Sequence, residues 1–88
     1  MKGIKELIRA DRTDEAIGLL KEHIASHPEC GDEPYYLLGN AYRKQSNWQL
    51  ALNNYLEAIE RNPESPAADA RKMVMDILEF YNKDMYNQ

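Results

Sequence analysis

The feature that most constrains this chain is an internal repeat. Residues 14–28 and residues 49–63 align at an offset of 35 positions. Four apolar positions and a closing proline coincide in this alignment: Ala16 with Ala51, Ile17 with Leu52, Leu20 with Tyr55, Ile24 with Ile59 and Pro28 with Pro63. A period of about 20 to 50 residues is typical of chains in which small similar units stack into a solenoid. The sequence therefore predicts stacked units and not one central core.

The apolar residues inside a unit have helical spacing. In the middle of the chain they recur at i, i+3, i+4 and i+7, the period of a helix that buries one face: Tyr35, Leu38, Gly39 and Tyr42. Glycine costs the interior of a helix about 1 kcal/mol relative to alanine. We therefore expect a partner helix to approach closely at Gly39, facing Ala51. No segment alternates strictly enough to form a strand, so the predicted fold is all-α.

Cap and stop residues delimit five helices. Ser46 followed by Gln49 is a capping box, and Ser65 places a cap ahead of Pro66 at the first helical position. Two further predicted N-caps are Thr13 and Asp32. With proline as the stop signal, the helices are predicted at 2–10, 14–26, 33–44, 47–61 and 66–83.

Residues 32–65 resemble the tetratricopeptide repeat (TPR). Eight residues stand at the spacing W-x2-L-G-x2-Y…A-x3-F-x2-A…P of that family: Tyr35, Leu38, Gly39, Tyr42, Ala51, Tyr55, Ala58 and Pro63. The closing residues FYNKDMYNQ are similar to the last helix of small bacterial TPR proteins. The resemblance implies an all-α solenoid of two antiparallel helix pairs plus a C-terminal capping helix. A single domain, 1–88, would then comprise an abbreviated first repeat, 1–31, a complete repeat, 32–65, and a capping helix, 66–84.

Composition restricts the classes of partner. The 88 residues carry a formal net charge of −4, which disfavours nucleic acid and anionic membrane surfaces as partners. The single cysteine, Cys30, cannot form an internal disulfide, and no signal peptide or membrane-spanning run is evident. We expect a cytoplasmic protein.

Three features could carry chemistry, and each has a simpler explanation. His23, His27 and Cys30 are residue types that bind zinc, but a proline interrupts the helix between them and a fourth ligand is not evident. Nothing orients the cysteine as a nucleophile. The 15 carboxylates are scattered over predicted solvent-facing positions and are not paired for acid–base catalysis. We expect no enzyme activity, no catalytic residue, no metal and no cofactor.

The candidate binding surface is the helix face that the seam within a pair does not use. Extended over the chain by the 35-residue offset, this groove comprises Lys5, Arg9, Tyr36, Asn40, Arg43, Lys44, Arg71 and Met75. The TPR resemblance implies a protein-interaction module, and the basic residues favour an acidic or C-terminal peptide segment as its partner. The simpler interpretation of these cations is ordinary solvated surface.

Self-association is the alternative function. The last predicted helix ends with apolar residues that a cap need not expose: Phe80, Tyr81, Met85 and Tyr86. Two chains that pair through this aromatic helix would form a weak homodimer.

Overall fold

Five α-helices make up the fold. The computed structural model describes the backbone of residues 2–86 and the side chains of residues 3–79. The helices are α1 (Lys2–Arg9), α2 (Thr13–Ser26), α3 (Glu33–Lys44), α4 (Trp48–Arg61) and α5 (Ala67–Tyr86). No described residue lies in a β-strand. The predicted all-α, TPR-like fold is confirmed, and the predicted helix ends are correct to one residue except at the end of α5, which is longer than predicted.

The 35-residue period is visible in the backbone. α2 and α4 contain 14 residues each, and their first residues are 35 positions apart. Among the described residues, the non-glycine residues with positive φ are Asp11 at 62° and Ser46 at 60°, again 35 apart. In each of these turns the next N–H donates to a helix carbonyl five positions earlier, at 2.9 Å both times. The same tight turn therefore joins the two helices of each pair.

Because of these turns, two N-caps lie one residue away from their predicted positions. Ser46 has a left-handed backbone and does not cap α4. Asn47 is the cap, and its Oδ1 accepts a hydrogen bond from the Leu50 N–H at 3.3 Å. Thr13 is likewise the first residue of α2, and Arg12 occupies the cap position. Both predictions were one residue off because the turn residue before each cap takes the αL conformation, which the sequence does not signal here with glycine.

The longer connections between pairs are held by polar side chains. Asp32 precedes α3 as predicted, but its carboxylate makes no cap bond and accepts a hydrogen bond from the Asn62 amide at 3.4 Å. The buried hydroxyl of Ser65 accepts a hydrogen bond from the N–H of Ala67, the first residue of α5, at 3.1 Å, and Pro66 lies just before the helix and not at its first position. The Asn62–Asp32 contact joins the end of α4 to the start of α3 within one helix pair.

The core runs along the stack between successive helices. α1 packs on α2 and α3, α3 packs on α2 and α4, and α5 packs mainly on α4. The largest completely buried side chains are Leu20, Tyr55 and Val74, one from each of α2, α4 and α5. Completely buried alanines separate them and let the helix backbones approach closely: Ala16, Ala41, Ala51, Ala58 and Ala67.

The close approach at Gly39 involves Tyr55 and not Ala51. An ideal Cβ on Gly39 would lie within 2.9 Å of three carbons of the Tyr55 ring. The ring cannot move aside, because it is completely buried and its hydroxyl donates to Asn40 Oδ1 at 2.6 Å. The glycine of the TPR spacing is thus required by an aromatic ring on the partner helix.

α5 differs from the predicted register. The 35-residue offset predicts that Met73, Val74 and Ile77 face a helix as Leu38, Gly39 and Tyr42 do. Val74 is completely buried, but Met73 is 55% exposed and Ile77 is 37% exposed.

The buried residues of α5 follow α3 at a different offset. Ala67, Ala70 and Val74 repeat the spacing of three buried residues of α3, 33 positions earlier: Pro34, Leu37 and Ala41. A change of two residues turns a helix by about 200°. α5 therefore packs on α4 with the face that corresponds to the one α3 packs against the preceding helices. As a result, Met73 and Ile77 lie outside the core.

We predict that Gly39→Ala lowers the free energy of unfolding by about 1–3 kcal/mol, because overpacking against Tyr55 exceeds the gain in helix propensity. Gly18→Ala is the matched control: a Cβ there meets open space, so it should stabilise α2 by up to about 1 kcal/mol. Urea unfolding followed by far-ultraviolet circular dichroism measures both. Equal stabilisation by the two alanines would contradict the Gly39–Tyr55 constraint.

Candidate protein-binding groove

Helices α1 and α3 enclose a shallow depression on one side of the stack. Its volume is about 310 Å³, and its lining residues are Lys5, Ile8, Arg9, Tyr36, Leu37 and Asn40. Four of the eight predicted groove residues meet here, two from each helix. The two members of each pair are one helical turn apart and so lie on the same face. We call this depression the groove.

Asn40 lines the groove, and the completely buried Tyr55 contacts it from inside the core. The Tyr36 ring lies beside the Tyr55 ring, with 6.2 Å between centroids and 40° between planes. The Tyr55 hydroxyl donates to Asn40 Oδ1 at 2.6 Å. This bond uses the carbonyl oxygen of the Asn40 amide and leaves its NH₂ group as the donor that a ligand can reach.

The Tyr55 phenol behind the groove is uncharged at neutral pH. Burial raises the pKa of Tyr55 to about 12, which the nearby Arg43 charge partly offsets and the neighbouring Tyr36 slightly reinforces. The phenol is therefore a hydrogen-bond donor across the physiological range. Arg43, which was predicted for the groove, is half-buried and does not line the depression.

The cations at the rim differ in how firmly they are held. The Lys5 ammonium lies 3.7 Å from a Glu33 carboxylate oxygen, and both side chains are about half exposed. A surface ion pair of this kind contributes about 0–1 kcal/mol, so a ligand carboxylate can replace Glu33 at little cost. Arg9 is exposed on the next turn of α1.

Lys44 has a structural contact. Its ammonium donates to the carbonyls of Ile8 at 3.0 Å and Arg9 at 3.5 Å, and pairs with the Asp11 carboxylate at 2.9 Å. These carbonyls belong to the last turn of α1, where a cation is also favoured by the helix dipole. Lys44 thus ties the end of α1 to the end of α3 and does not line the groove.

The α5 members of the predicted groove also lie outside the depression. Arg71 is half-buried, and its completely buried Nε has no hydrogen-bond partner among the described residues. Met75 is 43% exposed. In the 33-residue register of α5, the positions that correspond to Asn40 and Lys44 are Met73 and Ile77.

Sequence reasoning missed two residues of the groove and two exposed residues of α5. Ile8 and Leu37 line the groove but were not predicted for it, because a partly buried wall has the same apolar spacing as a core face. Met73 and Ile77 were assigned to the seam by the 35-residue offset. The signal that could have found them is the run of small residues Ala67, Ala70 and Val74, which repeats the spacing of a buried face in α3.

The histidine pair does not form a metal centre in the described part of the chain. The His23 and His27 rings stack 4.7 Å apart at 22°, so their nitrogens do not converge on one point. Cys30 is a free, half-buried thiol. Among residues 3–79, no three histidine, cysteine or carboxylate side chains are close enough to share an ion. None of the described helices is long and apolar enough to cross a bilayer.

The stacked antiparallel pairs, the repeated turn and the open groove define a helical-repeat protein of the α-solenoid class. Residues 33–65 match the tetratricopeptide repeat family. A similar solved structure, the solution NMR structure of the Bacteroides fragilis protein BF1650, is 62% identical in sequence and covers 99% of this chain and 88% of its own, with a TM-score of 0.87. The chain thus contains a tetratricopeptide repeat at residues 33–65.

This repeat indicates the general kind of function to expect. The TPR is a non-catalytic repeat scaffold, and it serves generally as a protein–protein interaction module. No curated protein sequence is significantly similar to this chain.

We predict that the Tyr55 phenol makes the free energy of unfolding depend on pH. The folded Tyr55 pKa of about 12 exceeds the ordinary value of 10.0. Below pH 10 the phenol is protonated in both states, so its contribution to stability is complete. Between pH 10 and 12 the unfolded chain loses the proton first, and this contribution falls by up to about 2–3 kcal/mol.

The control is Tyr55→Phe, which lacks the phenol and leaves Asn40 without its partner, at a cost of about 1 kcal/mol near neutral pH. The difference in unfolding free energy between the two proteins should fall through zero and change sign as the pH rises through this window, because the loss expected for the wild type exceeds the difference at neutral pH. Urea unfolding at a series of alkaline pH values measures it, and a constant difference would refute the buried, hydrogen-bonded phenol.

Proposed function

We propose that this chain is a cytoplasmic scaffold or adaptor module whose groove holds an acidic or C-terminal segment of a partner protein. The observation that supports the proposal is that Lys5, Arg9, Tyr36 and Asn40 come together in one depression. Two cations, an aromatic face and an amide donor are the groups that bind a carboxylate-bearing peptide.

Each group has a distinct task in this proposal. Arg9 and Lys5 donate charge-assisted hydrogen bonds to carboxylate oxygens, and Lys5 leaves Glu33 to do so. Tyr36 offers its ring to an apolar part of the segment. Asn40, oriented by Tyr55, donates its NH₂ group to a carbonyl of the segment's backbone.

The exposed apolar residues of α5 favour apolar residues next to the acidic ones in the partner segment. Met73 and Ile77 are exposed apolar residues at the α5 positions that correspond to Asn40 and Lys44. A segment that extends from α1 towards α5 would therefore meet cations first and apolar side chains last. Because two or three helices offer a small contact area, the binding should be weak unless other modules contribute.

We predict that a displayed peptide library selected on the wild-type protein is enriched in peptides with Asp, Glu or a free C-terminus. Lys5→Glu with Arg9→Glu should weaken the selected peptides about tenfold or more, because both charge-assisted contacts become repulsive. The matched control, Lys21→Glu with Lys72→Glu, makes the same change in net charge at exposed positions outside the groove and should retain binding. Loss of binding in both double variants, or no acidic preference, would leave the groove cations as ordinary solvated charges.

Self-association is the second candidate, and the exposure of Met73 and Ile77 favours it. These two apolar side chains lie one turn apart on α5, a spacing that suits pairing with a second helix. The predicted pairing residues Phe80, Tyr81, Met85 and Tyr86 lie outside the residues whose side chains the structure describes.

On this alternative we expect the wild-type protein to scatter light as a dimer at high concentration. Met73→Glu with Ile77→Glu should return it to a monomer without loss of helicity, because exposed positions tolerate charge. Multi-angle light scattering with circular dichroism measures both. A monomer in both proteins would reject pairing through α5.

A further inference from the structure

A second, larger depression lies across α1 from the groove. Its volume is about 780 Å³, within the range of about 300–1,000 Å³ typical of ligand pockets. The walls come from Gly3, Ile4 and Leu7 of α1, from Leu19 and His23 of α2, and from residues 30–34. It shares no residue with the groove, and the α1 residues of the two depressions lie on opposite faces of that helix. We call it the α1 pocket.

The walls of the α1 pocket are apolar and its rim is acidic. Ile4 and Leu19 form the apolar wall, and Leu19 remains 48% exposed. The carboxylates of Asp32 and Glu33 lie at the α3 end, and Glu33 is the one that faces Lys5 at 3.7 Å. Glu22 lines an adjoining depression that shares Ile4 and Leu19 with the pocket. Apolar walls with carboxylates around them complement a large apolar side chain flanked by cations.

We propose that the α1 pocket receives an aromatic side chain from a basic segment of a partner protein. The ring would lie against Ile4 and Leu19, and flanking lysine or arginine residues would face the rim carboxylates. This site has the opposite charge preference to the groove and does not depend on the function proposed for the groove.

The test uses a defined probe, acetyl-Lys-Trp-Lys-amide, added to the isotopically labelled full chain and followed by NMR. The expected result is a saturable shift of backbone signals from Leu19 and residues 30–34, with no comparable shift around Tyr36 and Asn40. Acetyl-Glu-Trp-Glu-amide should bind at least about fivefold more weakly, and acetyl-Lys-Ala-Lys-amide should not saturate, since the former opposes the rim charge and the latter lacks the ring.

Two glycines provide matched variants. A Cβ at Gly3 or at Gly18 meets open space, but only Gly3 lines the α1 pocket. Gly3→Leu should fill the pocket from inside and weaken the Lys-Trp-Lys probe about tenfold or more, whereas Gly18→Leu should bind it as the wild type does. Leu19→Ser, at an exposed position, gives a second loss of affinity that does not depend on how Gly3→Leu folds.

Three results would overturn the proposal. The first is a probe that binds Gly3→Leu and Leu19→Ser as it binds the wild type. The second is equal affinity for the basic and acidic probes. The third is a set of shifts at the α1 pocket that grows with protein concentration before any probe is added, which would make a second copy of the chain the occupant.

Discussion

The contact between Gly39 and the Tyr55 ring is the constraint on which the rest of this structure depends. The absence of a side chain at Gly39 allows the ring to be completely buried between α3 and α4. The buried ring in turn places its hydroxyl against Asn40, so one packing contact sets both the spacing of the central pair and the orientation of a polar group in the groove. The Gly39–Tyr55 contact therefore determines both the packing of the core and the orientation of Asn40 in the groove.

Several cations in this chain serve the architecture and not the groove. Lys44 donates to the last carbonyls of α1, and Arg61 donates to the Cys30 carbonyl at 3.0 Å while covering the Tyr35 ring. Each joins segments more than 30 positions apart by donating to backbone carbonyls at a helix end or in a loop. A position on the helix face predicted to line the groove therefore does not by itself make a basic residue a binding residue. Lys5 and Arg9, by contrast, line the groove.

The parts of the structure that local physics determines could be predicted from the sequence. Helix ranges follow from apolar spacing and caps, and the pairing of Lys5, Arg9, Tyr36 and Asn40 follows from the period between α1 and α3. The register of α5 could not be predicted, because the α4–α5 connection has five residues and the α2–α3 connection six, and α5 carries apolar residues on more than one face. Val74 fits a buried position at either offset, so only the packing on α4 decides between them. The contact of Lys44 with α1 could not be predicted from the sequence either, because it depends on where the ends of two helices meet.

The short helix α1 gives the molecule two surfaces of unlike chemistry. One face of α1 contributes cations to a groove closed by aromatic and amide groups of α3, and the other contributes apolar walls to a pocket with carboxylates at its rim. The net charge of −4 averages these surfaces and describes neither. Because α1 has only eight residues, it is too short to be a stable helix by itself, and its packing on α2 and α3 with the Lys44 contact must hold it in place. Anything that loosens α1 would therefore alter both surfaces together, which couples them through a shared element even though they share no lining residue.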